Sequence, residues 1–350
     1  MGFRALWVGT AFWCGAQEAP ITGPPTNARV VIVENPKATE AFIAQPKVVR
    51  DMVERGIVRL TGKTNEALAW QSLISDKDVV GLKVYSEPGA ISGTRPAVVE
   101  AVIQGLVGSG LPGSNIIIWD KRLADLRQAG FAALAQRYNA RVAGSLDCSY
   151  DEKVFYDNTI IGSLILGDLE FDRSGAKTGR KSYVSKVVTQ SMTKIISITP
   201  LLNHNVAGVC GHLYSVTMGS IDNSTRFDGF QALARAVPEI YALPGEDRGP
   251  GKDRGPGPLG DRVVLCITDA LIGQYQGEQM SLLQYATELN QIWLSKDPVA
   301  CDVLAVQELD RERQARDIPT LGGNPKLYEN AAELDLGIED LTRIHIDSVR

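Results

Sequence analysis

Cysteine in metal-binding order is missing from this 350-residue chain: Cys14, Cys148, Cys210, Cys266 and Cys301 include no C-x-x-C pair. No local zinc ribbon or cysteine-ligated iron-sulfur motif is therefore encoded. Basic charge is short as well. Lys and Arg number 36 against 41 Asp and Glu, a net charge of -5. Without a basic field to concentrate phosphates, neither nucleic acid nor an anionic membrane surface is expected as a general partner. Histidine is scarcer still, and imidazole chemistry is confined to His204, His212 and His345. The apolar run Ala5 to Trp13 is too short to cross a bilayer as a helix, so no membrane span is expected.

What remains is a hydrophobic content of 44%, enough to bury the core of one large or two modest globular domains. Arg4, the following apolar run and the small residues Cys14, Gly15 and Ala16 before Gln17 read as an export signal over residues 1–16, cleaved after Ala16. That predicts a periplasmic or cell-envelope protein. Cys14 leaves a lipoprotein reading open, although Phe12 and Trp13 are bulky for that position, and a short buried N-terminal segment is the plain alternative. No twin arginine is present. Cys266 in RVVLCIT and Cys301 on a helix read as small core hydrophobes. Cys148 and Cys210 are the pair an oxidising compartment could join.

Residues 27–350 read as an α/β domain. The extended stretch RVVIVEN is followed by amphipathic helices near Pro46 to Leu60 and Asn65 to Ile74. Strand and helix patterns then alternate: DVVGLKVY before RPAVVEAVIQGLVGSG, NIIIWD before LADLRQAGFAALAQRY, then KIISITP, RVVLCIT and QIWLS. This rhythm predicts a mostly parallel sheet with helices on both faces. Residues 245–260, which repeat Asp-Arg-Gly-Pro-Gly, suit neither helix nor strand and read as a flexible Gly/Pro-rich loop.

Ligands of such sheets gather beyond the carboxyl ends of the strands. The residues found there are Ser86, Gly93, Thr94 and Arg95 after the second strand, Asp120 and Arg122 after NIIIWD, Asn203 and His204 after KIISITP, and Asp269, Gly273 and Glu278 after RVVLCIT. Thr94 is placed to N-cap a helix opened by Arg95 and Pro96, which would aim N–H groups and a guanidinium at a carboxylate or phosphate, with Lys83 as a second cation. The alternative is a helix start with a solvated arginine. His204, beside Asn203 and followed by Ala207, Gly208 and Gly211, reads as a general base or metal ligand; a buried imidazole satisfied by a carbonyl is the competing account. His212 could join His204 at a divalent metal, whereas His345 reads as structural. Asp269 or Asp120 would orient the imidazole. Asp297 before Pro298 reads as a helix cap, Asp302 in the same helix needs a partner, and Arg226 either caps a helix or grips a substrate carboxylate.

The blocks GLKVYSEPG, GTRPAVVEAVIQGL, NIIIWD, KIISITPLLNHNVAGVCGHLYSVTMGSIDNSTRF, TDALIGQYQGE, LSKDPVACDVLAV and AAELDLGIEDL, in this order from about Asp78 to about Val349, resemble the bacterial "domain of unknown function 362" family. The resemblance implies an exported α/β domain with a site near His204; some members add ferredoxin-type cysteine clusters, which this chain does not have. Thr94-Arg95-Pro96 and His204 to Gly211 are also similar, more faintly, to the nickel-pincer lactate racemase family. Leu213 and Tyr214 stand where that resemblance places a lysine, and Leu201 and Leu202 where the first family often has another, so covalent cofactor attachment through them is not implied.

Two function classes follow. One is an enzyme acting on a small anionic substrate, a carboxylate or carbonyl compound, bound by Lys83, Ser86, Thr94, Arg95, Asp120, Asn203 and Arg226, with His204 and Asp269 catalytic. The other is a ligand-binding protein without chemistry, or an exported subunit whose protein partner carries iron-sulfur clusters.

Overall fold

Short β-branched runs bounded by polar turns set the frame of the chain. The computed structural model describes residues 26–245, 254–278 and 280–350; the signal reading of residues 1–16 and residues 246–253 of the Gly/Pro-rich segment lie outside them. Thirteen strands are described. They are β1 (Ala28–Glu34), β2 (Thr39–Glu40), β3 (Ile43–Ala44), β4 (Val80–Val84), β5 (Ile116–Asp120), β6 (Arg141–Gly144), β7 (Tyr150–Ser163), β8 (Thr178–Ser185), β9 (Lys194–His204), β10 (Gly208–Val209), β11 (Val263–Gln274), β12 (Ala286–Ser295) and β13 (Ile344–Val349). The helices are α1 (Pro46–Thr61), α2 (Glu66–Gln71), α3 (Gly89–Ser92), α4 (Pro96–Gly108), α5 (Leu123–Gln128), α6 (Phe131–Arg137), α7 (Leu169–Ser174), α8 (Lys186–Ser191), α9 (His212–Ser220), α10 (Phe230–Tyr241), α11 (Pro298–Gln314) and α12 (Pro325–Glu333).

The main sheet runs β13-β1-β12-β11-β9-β4-β5-β6, with β10 paired to β9. Only the two pairings of β12, with β1 and β11, are antiparallel along this path; the others are parallel. The expected mostly parallel α/β sheet is therefore present. Both faces are covered, which is why β4 and β5 are buried along their whole lengths. On one face α1, α2, α4 and α6 supply Met52, Ile57, Trp70, Ile103, Leu106 and Phe131; on the other α8, α9, α10 and α12 supply Val187, Leu213, Val216, Val237, Ile240 and Leu327.

Local signals explain most boundaries. Asn65 caps α2 by accepting from Leu68 N, and Asp297 caps α11 by accepting from Ala300 N at 2.8 Å with Pro298 in the first turn, as expected. The run LADLRQAGFAALAQRY departs from a single helix: Gly130 takes φ 90° and divides it into α5 and α6. RVVLCIT continues past its expected end as β11, with an irregularity between Ala270 and Ile272.

The connections fix the site. From β4 the chain crosses through α4 to β5, which pairs on one side of β4; it later returns as β9 on the other side, and α9 and α10 carry it over the opposite face. The gap between these divergent crossovers, at the carboxyl ends of β4 and β9, is a topological switch point. Register places Val84 beside Ile198, so β9 runs on beyond β4 to His204.

Candidate functional site

Next to the switch point, on the β5 side of β4, Tyr85, Ser86 and Glu87 follow β4, Lys121 and Arg122 follow Asp120 at the end of β5, and α9 lies across both ends. They enclose a cleft of about 230 Å³ lined by Tyr85, Glu87, Asp120, Lys121, Arg122, Asp125, Tyr214, Ser215, Met218, Gly219, Ser224, Thr225 and Asp228.

Lys83 lies beneath this cleft, its side chain fully buried. Its Nζ donates to Asp120 Oδ1 at 2.7 Å and to Val84 O at 2.5 Å, and it lies 2.9 Å from Ser215 Oγ. The second oxygen of Asp120 accepts from both the amide and the hydroxyl of Ser86 at 2.7 Å. Helical spacing puts Ser215 and Gly219 on one face of α9. A methyl group at Gly219 would stand 3.0 Å from Lys83 Nζ and closer still to its Cε, so glycine makes the room that the lysine occupies. Burial pushes the Lys83 pKa down, with Asp120 opposing. Burial also lowers Lys121 to about 8; its ammonium donates to Ile221 O and, at 3.4 Å, to Met218 O.

The lining carries Glu87, Asp120, Asp125 and Asp228 against two cations, Lys121 and Arg122. Glu87 and Asp125 are raised by burial, with Arg122 opposing in each case. Arg122 lies 3.7 Å from Glu87. The balance is acidic, contrary to the anion-binding field expected.

Lys83, Ser86 and Asp120 are thus brought together, while other expected site residues are spent on one another. Arg95 is buried, and its carboxylate partner is internal: Asp269 Oδ1 accepts from Nη1 at 2.8 Å and Oδ2 from the backbone N at 2.9 Å. Nη2 donates to Ile91 O and Ile272 O. Arg95 is therefore no substrate clamp here, and Asp269 orients no imidazole. Thr94 does not cap α4. Its hydroxyl donates to Ile198 O at 2.7 Å and accepts from Tyr85 N at 2.9 Å, tying β4 to β9. Arg226 is consumed by the β7–β8 hairpin, donating to Ser182 Oγ, Asn158 Oδ1, Ile160 O and Tyr156 O. Asn203 is buried and held by Glu278 N and Asn205 Oδ1.

His204 is corrected by its tautomer. Nδ1 accepts from Val206 N at 3.2 Å and Ala207 N at 3.0 Å, so the ring proton resides on Nε2. A base or a metal ligand needs a free lone pair, and this imidazole has none to offer; as placed it donates. Burial lowers its pKa, Glu278 opposing, and its ring centroid lies 4.3 Å from that of Tyr214, the two planes tilted by 48°. His212 does not join it at a metal. Its Nδ1 is 2.8 Å from Ser197 Oγ and its Nε2 3.1 Å from Thr268 Oγ1, and burial lowers its pKa to about 3. Among the described residues no group of three or more His, Cys, Asp or Glu side chains is disposed to hold a metal ion.

The glycines expected beside a ligand face the protein itself. A methyl group at Gly211 would stand 2.8 Å from Asp302 Oδ2 and nearer to Oδ1 and Cγ. Asp302 needs that space to accept from His212 N at 2.6 Å and Leu213 N at 2.9 Å, closing the N-terminus of α9 with an internal carboxylate. Burial raises it to about 7, the two N–H groups opposing. Cys148 is exposed and Cys210 buried, both as free thiols, so the two are not joined; Cys266 and Cys301 are buried in the core.

Ser215, Tyr214, Gly219 and Lys121 were not among the expected site residues. The available signal was the Ser-x-x-x-Gly spacing in SVTMGS, small residues four apart where a helix must press on strand ends.

No family model matches the chain, and no curated protein matches it. Among solved structures it is similar to a protein from Thermotoga maritima, a structural-genomics target, at 11% identity and a TM-score of 0.38. The match covers 80% of this chain and 61% of that one. Among the described residues no helix is long and apolar enough to cross a membrane.

Proposed function

We propose that this chain is an enzyme of small carbonyl compounds whose site is the cleft at the carboxyl ends of β4 and β5. One observation carries the proposal: a fully buried lysine, lowered in pKa by that burial, hydrogen-bonds a serine on the cleft wall. Buried ionisable groups gathered beneath a cavity at strand ends are a setting in which proton-transfer catalysis is built. The acidic lining favours a neutral or cationic substrate over the anionic one expected from the sequence, because Arg95 and Arg226 are engaged internally. The resemblance to the domain of unknown function 362 family and the export reading of residues 1–16 remain parts of this proposal, supported by the order of sequence blocks and by the N-terminal composition.

The test is a thermal-shift screen of small esters, amides and ketones, since a ligand of the folded state raises the melting temperature. Thr225 is exposed at the cleft, and Thr225→Trp fills its mouth. A neutral or cationic carbonyl compound should stabilise the wild type and not the variant. Equal stabilisation of both would place the site elsewhere, and turnover of a hit separates catalysis from simple capture.

A further inference from the structure

We propose that Ser215 is a nucleophile for acyl transfer and Lys83 its general base, which makes the substrate class a small carboxylic ester. The inference deepens the cleft assignment and rests on it. Its carrier is the set of partners around Lys83 Nζ. Val84 O and the Asp120 carboxylate only accept, whereas Ser215 Oγ both donates and accepts. A protonated lysine therefore donates to all three. A neutral lysine donates to Val84 O and Asp120, and its lone pair is left facing Ser215 Oγ at 2.9 Å, the orientation needed to take the hydroxyl proton.

Burial favours the neutral form and Asp120 the charged one, the opposition that tunes a base. The other titratable groups facing the amine are Cys210, before α9, and Tyr85, whose ring centroid lies 6.0 Å away. Burial pushes both upward, so both stay neutral. Asp120 is the positioning residue, itself pinned by Ser86.

In the reaction, Ser215 Oγ bonds to the ester carbonyl carbon as its proton passes to Lys83 Nζ. The bond from that carbon to the alcohol oxygen then breaks, and the departing alkoxide takes the proton from Lys83. Water, deprotonated by the same amine, attacks the acyl-serine, releasing the carboxylic acid and restoring the hydroxyl. The sum is ester plus water to acid plus alcohol.

The experiment treats the full chain with a fluorophosphonate and reads the adduct by peptide mass spectrometry. The expected result is labelling at Ser215, absent in Ser215→Ala, and slower by roughly 10²- to 10⁴-fold in Lys83→Met. Should Lys83→Met not fold, the wild-type labelling rate against pH carries the same information: it rises as Lys83 loses its proton, and Asp120→Asn moves that rise to lower pH. No adduct on the wild type, an adduct unchanged in Ser215→Ala, or a pH-independent rate overturns the proposal. The cleft assignment is judged separately, because a carbonyl ligand that stabilises Ser215→Ala but not Thr225→Trp upholds the cleft even if the covalent step fails.

Discussion

Gly211→Ala tests the construction of α9 directly. The Gly211 backbone, at φ -82° and ψ -166°, is open to any residue, so a cost must come from space rather than from dihedral strain. The added methyl would enter the Asp302 carboxylate, which cannot retreat because it is buried on α11. Overpacking of this kind costs about 1–3 kcal/mol. Displacing the carboxylate from His212 N and Leu213 N adds about 1.5–3 kcal/mol for a charge-assisted bond lost in the interior. The expected total is roughly 2.5–6 kcal/mol, read by urea unfolding followed through tryptophan fluorescence. Asp302→Ala alone leaves two N–H groups unanswered and costs a similar amount, but the double variant has no carboxylate to strike. Its cost should match that of Asp302→Ala, so the coupling is as large as the whole cost of Gly211→Ala. A Gly211→Ala variant within about 0.5 kcal/mol of wild type, or strictly additive costs, would refute the reasoning.

Arg95→Ala should destabilise by about 3–5 kcal/mol, because Asp269 is left as an uncompensated buried charge; a loss below about 1 kcal/mol in denaturant would contradict the internal pairing. Arg226→Ala should raise amide hydrogen exchange across Tyr150–Ser163 and Thr178–Ser185 while leaving the thermal shift of a cleft ligand unchanged, and a lost shift would return Arg226 to the site. His212, near 6.5 when unfolded and about 3 when folded, binds its proton more weakly in the native state. Its contribution to stability is present above pH 6.5 and is lost as pH falls from there towards 3. Melting temperatures from pH 7 to 4 should fall less steeply in His212→Gln, and a titration near 6.5 of the NMR signal that His212→Gln removes would disprove the burial argument.

The parts of the fold legible in the sequence are those where local chemistry decides. NIIIWD reads as a buried strand because uninterrupted β-branched residues suit a sheet covered on both sides, and Asp297-Pro298 reads as a helix start because cap and proline act within one turn. The β7–β8 hairpin was not legible, since its strands are joined through α7 rather than by a tight turn. At the strand ends, Lys83, Ser86 and Asp120 do meet. What could not be read is which polar groups the fold would use up. Arg95 and Asp269 stand 174 residues apart, and each alone resembles a ligand contact until the sheet sets them side by side. The same blindness hid Ser215, a helical residue with no strand-end signature.

The pairing of β1 with β12 and β13 has a consequence for biosynthesis. Val31 meets Leu294 on one flank and Asp347 on the other, so one of the earliest described segments waits for two of the latest. Until those two strands are made that segment has both rows of amide and carbonyl groups unanswered, an invitation to mispairing and a natural footing for a chaperone. Trimming residues 345–350 would leave β1 as a permanent sheet margin, and the penalty should surface as aggregation during synthesis more than as a change at the cleft.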